Sequence, residues 1–332
     1  MNSNKITEVL SKLADCTVWH PDFERAQHLI MKSISTTAER KDPSSALLTG
    51  KSGVGKTRLC KIIERNMGKA YQYDDKSSLK LIRPCVYVEV PADASLKSMT
   101  IDILMEILKT AEELKIQKTD INDKIPRPEI ERVSVARMET IIIQRLLTLE
   151  TKLLILDEFH HVADRGQAAT KLAICNWLTN FMNKSKVAIL VSGSTKILPI
   201  VNGVDELSGR FGYRATLKEL DYCNEAESPI FLSILAGLQR EMISLGKLEN
   251  YVHLTDQKMY KAIFLATHGN FRLLSYLLND SFKITLQRDD KSLTTIDFAE
   301  ACNDLHLCKQ HGNPFEMSIK ELNDKLNPKL KM

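Results

Sequence analysis

Gly50-Lys51-Ser52-Gly53-Val54-Gly55-Lys56-Thr57 satisfies the pattern G-x-x-x-x-G-K-[ST] at every fixed position. Each residue type has a task at that spacing. Glycines let the backbone curl until consecutive N–H groups face one point, a concavity that suits phosphate. A helix that begins after the loop adds the positive potential of its N-terminus. Lys56 is expected to reach the β- and γ-phosphates of a nucleoside triphosphate, and the Thr57 hydroxyl to ligate Mg²⁺. Gly50, Ser52, Gly53, Val54, Gly55, Lys56, Thr57 and Arg58 are therefore the candidate nucleotide-binding residues, with ATP and Mg²⁺ as the cofactors.

A second constellation lies about a hundred residues on, at Leu153-Leu154-Ile155-Leu156-Asp157-Glu158. An apolar run delivers two carboxylates at the C-terminal end of a strand, where parallel α/β sheets bind their ligands. Asp157 is expected to hold Mg²⁺ through water, and Glu158 to polarise the attacking water. His160 and His161 follow at once. A D-E-x-H string also occurs in nucleic-acid helicases, but little else of a helicase is present, so the histidines are read as orienting Glu158 or packing beside it. Ser192-Gly193-Ser194-Thr195 offers hydroxyls after another apolar run that can hydrogen-bond the γ-phosphate or the lytic water; Ser194 is favoured, with Thr195 next. Arg210, in Leu207-Ser208-Gly209-Arg210-Phe211, and Arg272, in Gly269-Asn270-Phe271-Arg272, stand out by position.

The elements that must position these groups alternate, which predicts an α/β core with a mostly parallel, five-stranded sheet. Strands are predicted at 45–49, 86–90, 153–156, 187–191 and 214–217. Residues 56–67 form a helix with Leu59, Ile62, Ile63 and Met67 on one face, stopped at Gly68. A further helix starts near Ser95. From about 222 the pattern turns helical without β-branched runs. The expected organisation is an N-terminal helical segment (1–44), a P-loop core (45–221), a small α-helical lid domain (222–310) and a loosely ordered tail (311–332). The polar stretch 112–137, with two prolines, reads as an insertion.

With 43% hydrophobic and 27% charged residues the chain has the balance of a soluble globular protein. No run approaches the ~18 apolar residues of a membrane span, and no apolar signal region follows Met1, so a cytoplasmic location and no membrane partner are expected. Seven dispersed cysteines argue against a disulfide framework. Cys302, His306, Cys308 and His311 include metal-ligand types, but their spacing matches no common zinc pattern, and Cys302 falls on the apolar face of a helix. Core packing is the expected role there. A net charge of +4 permits nucleic-acid binding without demanding it.

With these residues in view, the chain resembles AAA+ ATPases, and among them the TniB/TnsC family of transposition regulators. The resemblance rests on Trp19-His20-Pro21, the phosphate loop, Ile155-Leu156-Asp157-Glu158-Phe159-His160, Gly193-Ser194-Thr195, and Leu207-Ser208-Gly209-Arg210-Phe211 followed by Leu217-Lys218-Glu219-Leu220. Together these span about residues 18–280. The family more often has Gly-Thr-Pro where this chain has Gly193-Ser194-Thr195. The resemblance implies a sensor at Ser194, an arginine finger acting in trans at Arg210, and a second sensor at Arg272. It also implies assembly with ATP on double-stranded DNA as a ring or filament in the bacterial cytoplasm. There the assembly would link a TniQ-like targeting protein to a DDE transposase.

General physics allows the same reading. A site that lacks its arginine in cis is completed by oligomerisation, and a ring of subunits that place lysines along the phosphate backbone binds DNA without reading sequence. Lys97, Lys118, Lys124 and Arg127 are the DNA-contact candidates. Two other readings remain open: a helicase loader or replication initiator of the same superfamily, and a metabolic P-loop kinase. For the kinase, no acceptor site or arginine-rich lid is visible.

Overall fold

Alternating apolar runs and amphipathic stretches resolve, in the computed structural model, into a parallel α/β core and a helical unit. The structure describes residues 3–40, 43–74, 79–113, 127–165, 167–221, 228–288, 290–308 and 312–326. From the N-terminus the chain forms α1 (Ser3–Asp15), α2 (Pro21–Arg40), β1 (Ala46–Gly50), α3 (Lys56–Met67), β2 (Tyr71–Asp74), β3 (Leu79–Ile82), β4 (Cys85–Glu89) and α4 (Leu96–Glu113). There follow α5 (Arg127–Ile130), α6 (Val135–Thr148), β5 (Leu153–Asp157), α7 (His160–Arg165), α8 (Ala168–Ser185), β6 (Ala188–Gly193), α9 (Leu198–Asn202), α10 (Asp205–Arg210) and β7 (Tyr213–Leu217). The last third holds α11 (Ser228–Gly246), β8 (Asn250–Tyr251), α12 (Gln257–Thr267), α13 (Phe271–Arg288), β9 (Ser292–Leu293), α14 (Thr295–Asp304) and α15 (Ile319–Leu326).

Two compact units result, residues 22–217 and residues 1–21 with 218–332. The first carries a five-stranded sheet in the order β4-β5-β6-β1-β7, and every neighbouring pair in it is parallel. A parallel sheet needs cover on both faces, and the strands β1, β5 and β6 are accordingly buried at every residue. Side chains alternate between the faces. Leu48, Ile155 and Leu190 pack with Leu59, Cys60 and Ile63 of α3 and with Phe23, Ala26 and Ile30 of α2. Leu47, Leu154, Leu156, Ile189 and Val191 face the opposite layer, which includes Ile103 and Leu104 of α4, Ile142 of α6 and Phe181 of α8. Each fully buried side chain of this kind contributes about 1.5–3 kcal/mol relative to exposure.

All five expected core strands are present, within one or two residues at their ends. The antiparallel pair β2–β3 was not anticipated; two four-residue strands are too short to set up a readable alternation. Of the expected insertion at 112–137, residues 114–126 lie outside the described residues, and the flanking parts belong to regular elements. Helix α4 runs on to Glu113, Ile130 of α5 is fully buried in the core, and Ser134 caps α6 by accepting from the Arg137 N–H. Polar residues on the outer faces of these short helices hide the period of the few that point inward.

In the second unit α1 turns Ile6, Val9 and Leu13 into a core shared with Phe231, Leu235, Met242, Leu277, Phe282 and Phe298. The first 44 residues, expected as one segment, are thus divided near Pro21. Helix α2 and the chain from there to Leu217 belong to the sheet unit, while α1 packs with α11 and α13. His20 lies in the helical unit too, stacked on Phe271 with ring centroids 5.2 Å apart. The tail differs from expectation over 312–326, where α15 forms with Leu322 fully buried and with Phe315 just before it at 2% exposure. A reciprocal cap starts it: Ser318 N–H donates to Glu321 Oε2 at 2.8 Å and Glu321 N–H to Ser318 Oγ at 3.3 Å. Among the described residues, no helix is long and apolar enough to cross a membrane.

Candidate nucleotide site

Strand β1 ends at Gly50, where a Cβ would stand 2.4 Å from the Leu217 carbonyl oxygen on β7. Any side chain there would force the first turn of the loop out of place. Gly55 sits at the N-cap of α3 with φ 96°, in the left-handed region that a larger residue enters only with strain. Between them Val54 is 1% exposed and anchors the loop in the core, while Ser52 stays exposed. Lys56 is 8% exposed. Its ammonium donates to the carbonyl oxygens of Gly50 at 3.0 Å and Lys51 at 2.8 Å, so the cation is held inside its own loop. Thr57 and Arg58 are half-buried on the first turn of α3. Helix α3 begins directly at Lys56, so the positive end of a helix dipole lies beside that cation, an arrangement that suits an anion.

Strand order places the second constellation nearby. Only β6 separates β1 from β5. Asp157, the last residue of β5, is 0% exposed. Both its oxygens accept hydrogen bonds: Oδ1 from the Glu158 N–H at 2.9 Å and Oδ2 from the Tyr87 hydroxyl at 3.1 Å. Burial, with the Asp157 carboxylate beside it, pushes the Tyr87 hydroxyl well above the usual phenol range, so it remains a donor. Glu158 has φ 55°, a left-handed conformation costing roughly 1–2 kcal/mol in a residue with a Cβ. The surroundings hold it there. Val90 N–H donates to Asp157 O at 2.8 Å, Phe159 N–H to Ser192 O at 2.9 Å, and the Phe159 ring is 1% exposed. His160 Nδ1 stands 2.8 Å from Glu158 Oε2, out of hydrogen-bonding alignment. The rings of His160 and His161 lie 4.6 Å apart.

These residues fit Mg²⁺. Among the described residues no group of three or more His, Cys, Asp or Glu could hold a metal ion, so none of them forms a closed cage. Mg²⁺ does not ask for one; it takes one or two protein oxygens and fills its octahedron with phosphate and water. A hydroxyl from Thr57 and a buried carboxylate from Asp157 are that kind of hard-oxygen pair. The Cys302 cluster is different. Cys302 is fully buried in the helical core with its sulfur 2.8 Å from that of Cys308, and His311 lies outside the described residues.

Just past β6, Ser194 Oγ is buried and has no hydrogen-bond partner, whereas Thr195 is exposed. Arg210 ends α10, half-buried, and its carbonyl accepts the Ser45 N–H at 2.8 Å, which ties it to the approach of β1. Arg214, absent from the sequence-derived set, braces that segment. It donates to Phe211 O at 2.9 Å, Asn202 Oδ1 at 2.7 Å, Ser208 O at 3.1 Å and Ser208 Oγ at 2.9 Å. Arg272 belongs to the helical unit, exposed on the first turn of α13, with its N–H donating to Asn270 Oδ1. Lys97 is exposed on the first turn of α4. Arg127 faces two carboxylates, Asp102 and Glu131, each at 3.4 Å, which offsets its charge. Lys118 and Lys124 lie outside the described residues.

The profile of the family described as "Bacterial TniB protein" matches residues 14–219, which includes the loop, Asp157-Glu158, Ser194 and Arg210. The chain belongs to the TniB family. No curated protein matches it. Similar solved structures include the Aeropyrum pernix ORC1 protein in complex with DNA, at 15% identity and a TM-score of 0.58, over 90% of this chain and 68% of that one. The Aeropyrum pernix ORC2 protein in its ADPNP–ADP complexes is similar at 16% identity and a TM-score of 0.54, over 84% of this chain and 66% of the other. A Walker-type ATPase of Pyrococcus abyssi matches at 14% identity and a TM-score of 0.53, over 93% and 77% respectively. This TniB-family chain thus spans about two thirds to three quarters of those proteins. At such identities the likeness is one of fold, the AAA+ P-loop fold with a helical region after it.

Proposed function

We propose that this TniB-family protein is an ATPase that regulates DNA transposition by assembling on duplex DNA. The observation that supports it most is the family match laid over a phosphate loop, with a fully buried Asp157 beside Glu158 on β5, one strand removed from that loop. ATP binds with its phosphates against the N–H groups of 50–57, and the phosphate oxygens take over the Lys56 ammonium from the two loop carbonyls. Mg²⁺, when bound, neutralises charge on the β- and γ-phosphates. Thr57 and Asp157 hold it, and Glu158 orients water and receives its proton. Ser194, whose buried hydroxyl lacks a partner, reads the γ-phosphate.

Arg210 completes the site of a neighbouring subunit, which makes turnover depend on assembly. Lys97 and other basic side chains hold the DNA backbone. The assembled ring or filament links a TniQ-like targeting protein to a DDE transposase in the bacterial cytoplasm, and hydrolysis ends that state. Arg272→Ala tests the second sensor that the family resemblance implies.

The deciding experiment images the full chain on duplex DNA with a non-hydrolysable ATP analogue and measures turnover with and without DNA. Ordered rings or filaments in wild type, absent in Lys56→Ala, with DNA-stimulated hydrolysis, are expected. Monomers on DNA, or turnover stimulated by a small metabolite and indifferent to DNA, would overturn the reading in favour of a kinase. Capture of a replicative helicase in place of the transposase would overturn it in favour of a loader.

A further inference from the structure

We propose that Tyr87 is a positioning residue for Mg²⁺, acting through Asp157; the inference rests on the nucleotide-site reading above. The starting point is a physical weakness of aspartate. The terminal torsion of its side chain is broad and soft, so a lone carboxylate at a strand end does not hold one orientation. Asp157 is fully buried, and a buried charge needs donors. It receives two, one on each oxygen. The Glu158 N–H on Oδ1 is fixed by the backbone. The Tyr87 hydroxyl on Oδ2, at 3.1 Å, is the side-chain donor and comes from the adjacent strand. The two together lock the plane of the carboxylate.

The sheet register makes this possible. Glu89 pairs with Asp157 and Tyr87 with Ile155, so Tyr87 and Asp157 share a face one step apart on neighbouring strands. The half-buried tyrosine cannot swing far, since it packs against the core on the α3 side of the sheet. The Lys61 ammonium, one turn beyond Thr57 on α3, lies 6.0 Å from the Tyr87 ring centroid, at the edge of cation–π range. Groups that orient a metal-binding side chain in this way typically set metal affinity by 10–100-fold.

The test titrates Mn²⁺ as an electron-paramagnetic stand-in for Mg²⁺ into the full chain with ADP, for wild type, Tyr87→Phe and Asp157→Asn. Fluorescent ADP binding in EDTA is measured alongside, as a metal-free readout and a check on folding. Tyr87→Phe should weaken Mn²⁺ binding by about 10-fold with metal-free ADP affinity unchanged. A fluorinated tyrosine at position 87, which keeps the donor, should restore it. If Asp157→Asn loses Mn²⁺ affinity while Tyr87→Phe binds it as wild type does, the role of Tyr87 is overturned. If Asp157→Asn also binds Mn²⁺ normally, the metal assignment itself falls, and the inference with it. Loss of metal-free ADP binding in Tyr87→Phe would show a general packing role and would equally overturn it.

Discussion

His160 Nδ1 stands 2.8 Å from Glu158 Oε2, in the first turn after a left-handed glutamate. The short loop between them forces the pair together: with Glu158 at φ 55°, the chain turns at once into α7. An imidazole so placed limits the positions open to the carboxylate. Glu158→Gln should keep ATP binding and slow hydrolysis by ~10²-fold or more, as loss of a general base does. His160→Leu should lower turnover by about 10-fold, less than loss of the base itself, with His160→Gln between it and wild type. Single-turnover hydrolysis at saturating ATP measures both, and full turnover in Glu158→Gln would remove that residue from the chemistry.

Arg210 is expected to act across a subunit boundary. Its backbone is fixed by the Ser45 N–H and by Arg214, which holds the segment around it through four hydrogen bonds. A finger of this kind is worth roughly 10³–10⁵ in rate in GTPases. Arg210→Ala and Lys56→Ala should each be nearly inactive alone. Mixed on DNA they should recover activity, because some interfaces then join an intact loop to an intact arginine. A mixture that co-assembles and stays dead would place Arg210 on the surface as an ordinary ion-pairing residue.

Binding to DNA should tolerate any sequence and weaken steeply with salt, because phosphate contacts carry it. Isotherms on two unrelated duplexes across a salt series check this. Lys97→Ala should reduce the slope of log K against log salt by about 1 on both duplexes alike. A strong preference for one duplex would point to base recognition instead.

In the helical unit, Asp297 is fully buried and serves several donors at once. It pairs with Arg288, accepts the Thr294 N–H at 2.6 Å and hydroxyl at 3.0 Å, and accepts the Thr285 hydroxyl at 3.3 Å. Asp297→Ala therefore removes the cap of α14 and one partner of Arg288, which keeps Asp290 and the Ser292 carbonyl. The expected loss is about 2–3 kcal/mol, that of a helix cap together with hydrogen bonds to a charged group, read as faster hydrogen exchange throughout α13 and α14. A change confined to the first turn of α14 would mean that the cap alone mattered.

Features that depend on residues close together in the chain are legible before any folding is known. The glycines, lysine and threonine of 50–57 dictate a phosphate loop because every one acts on its own backbone or the next turn. The unbroken apolar run 153–156 dictates a buried parallel strand, and therefore carboxylates at its end. Even the last helix was written locally, in the Ser318–Glu321 cap, although the prolines and lysines around it suggested a loose tail. Which distant pieces share a surface is set by the folded chain as a whole. That Tyr87 meets Asp157 follows from β4 lying beside β5 in a particular register, and no spacing within either strand encodes that pairing. That α1 packs with α11 and α13 follows from where Ile6, Val9 and Leu13 find apolar cover. Local conformation is fixed by sterics and hydrogen bonds within a few residues. The choice among distant apolar surfaces is a competition over the whole chain, and burial is indifferent to sequence order.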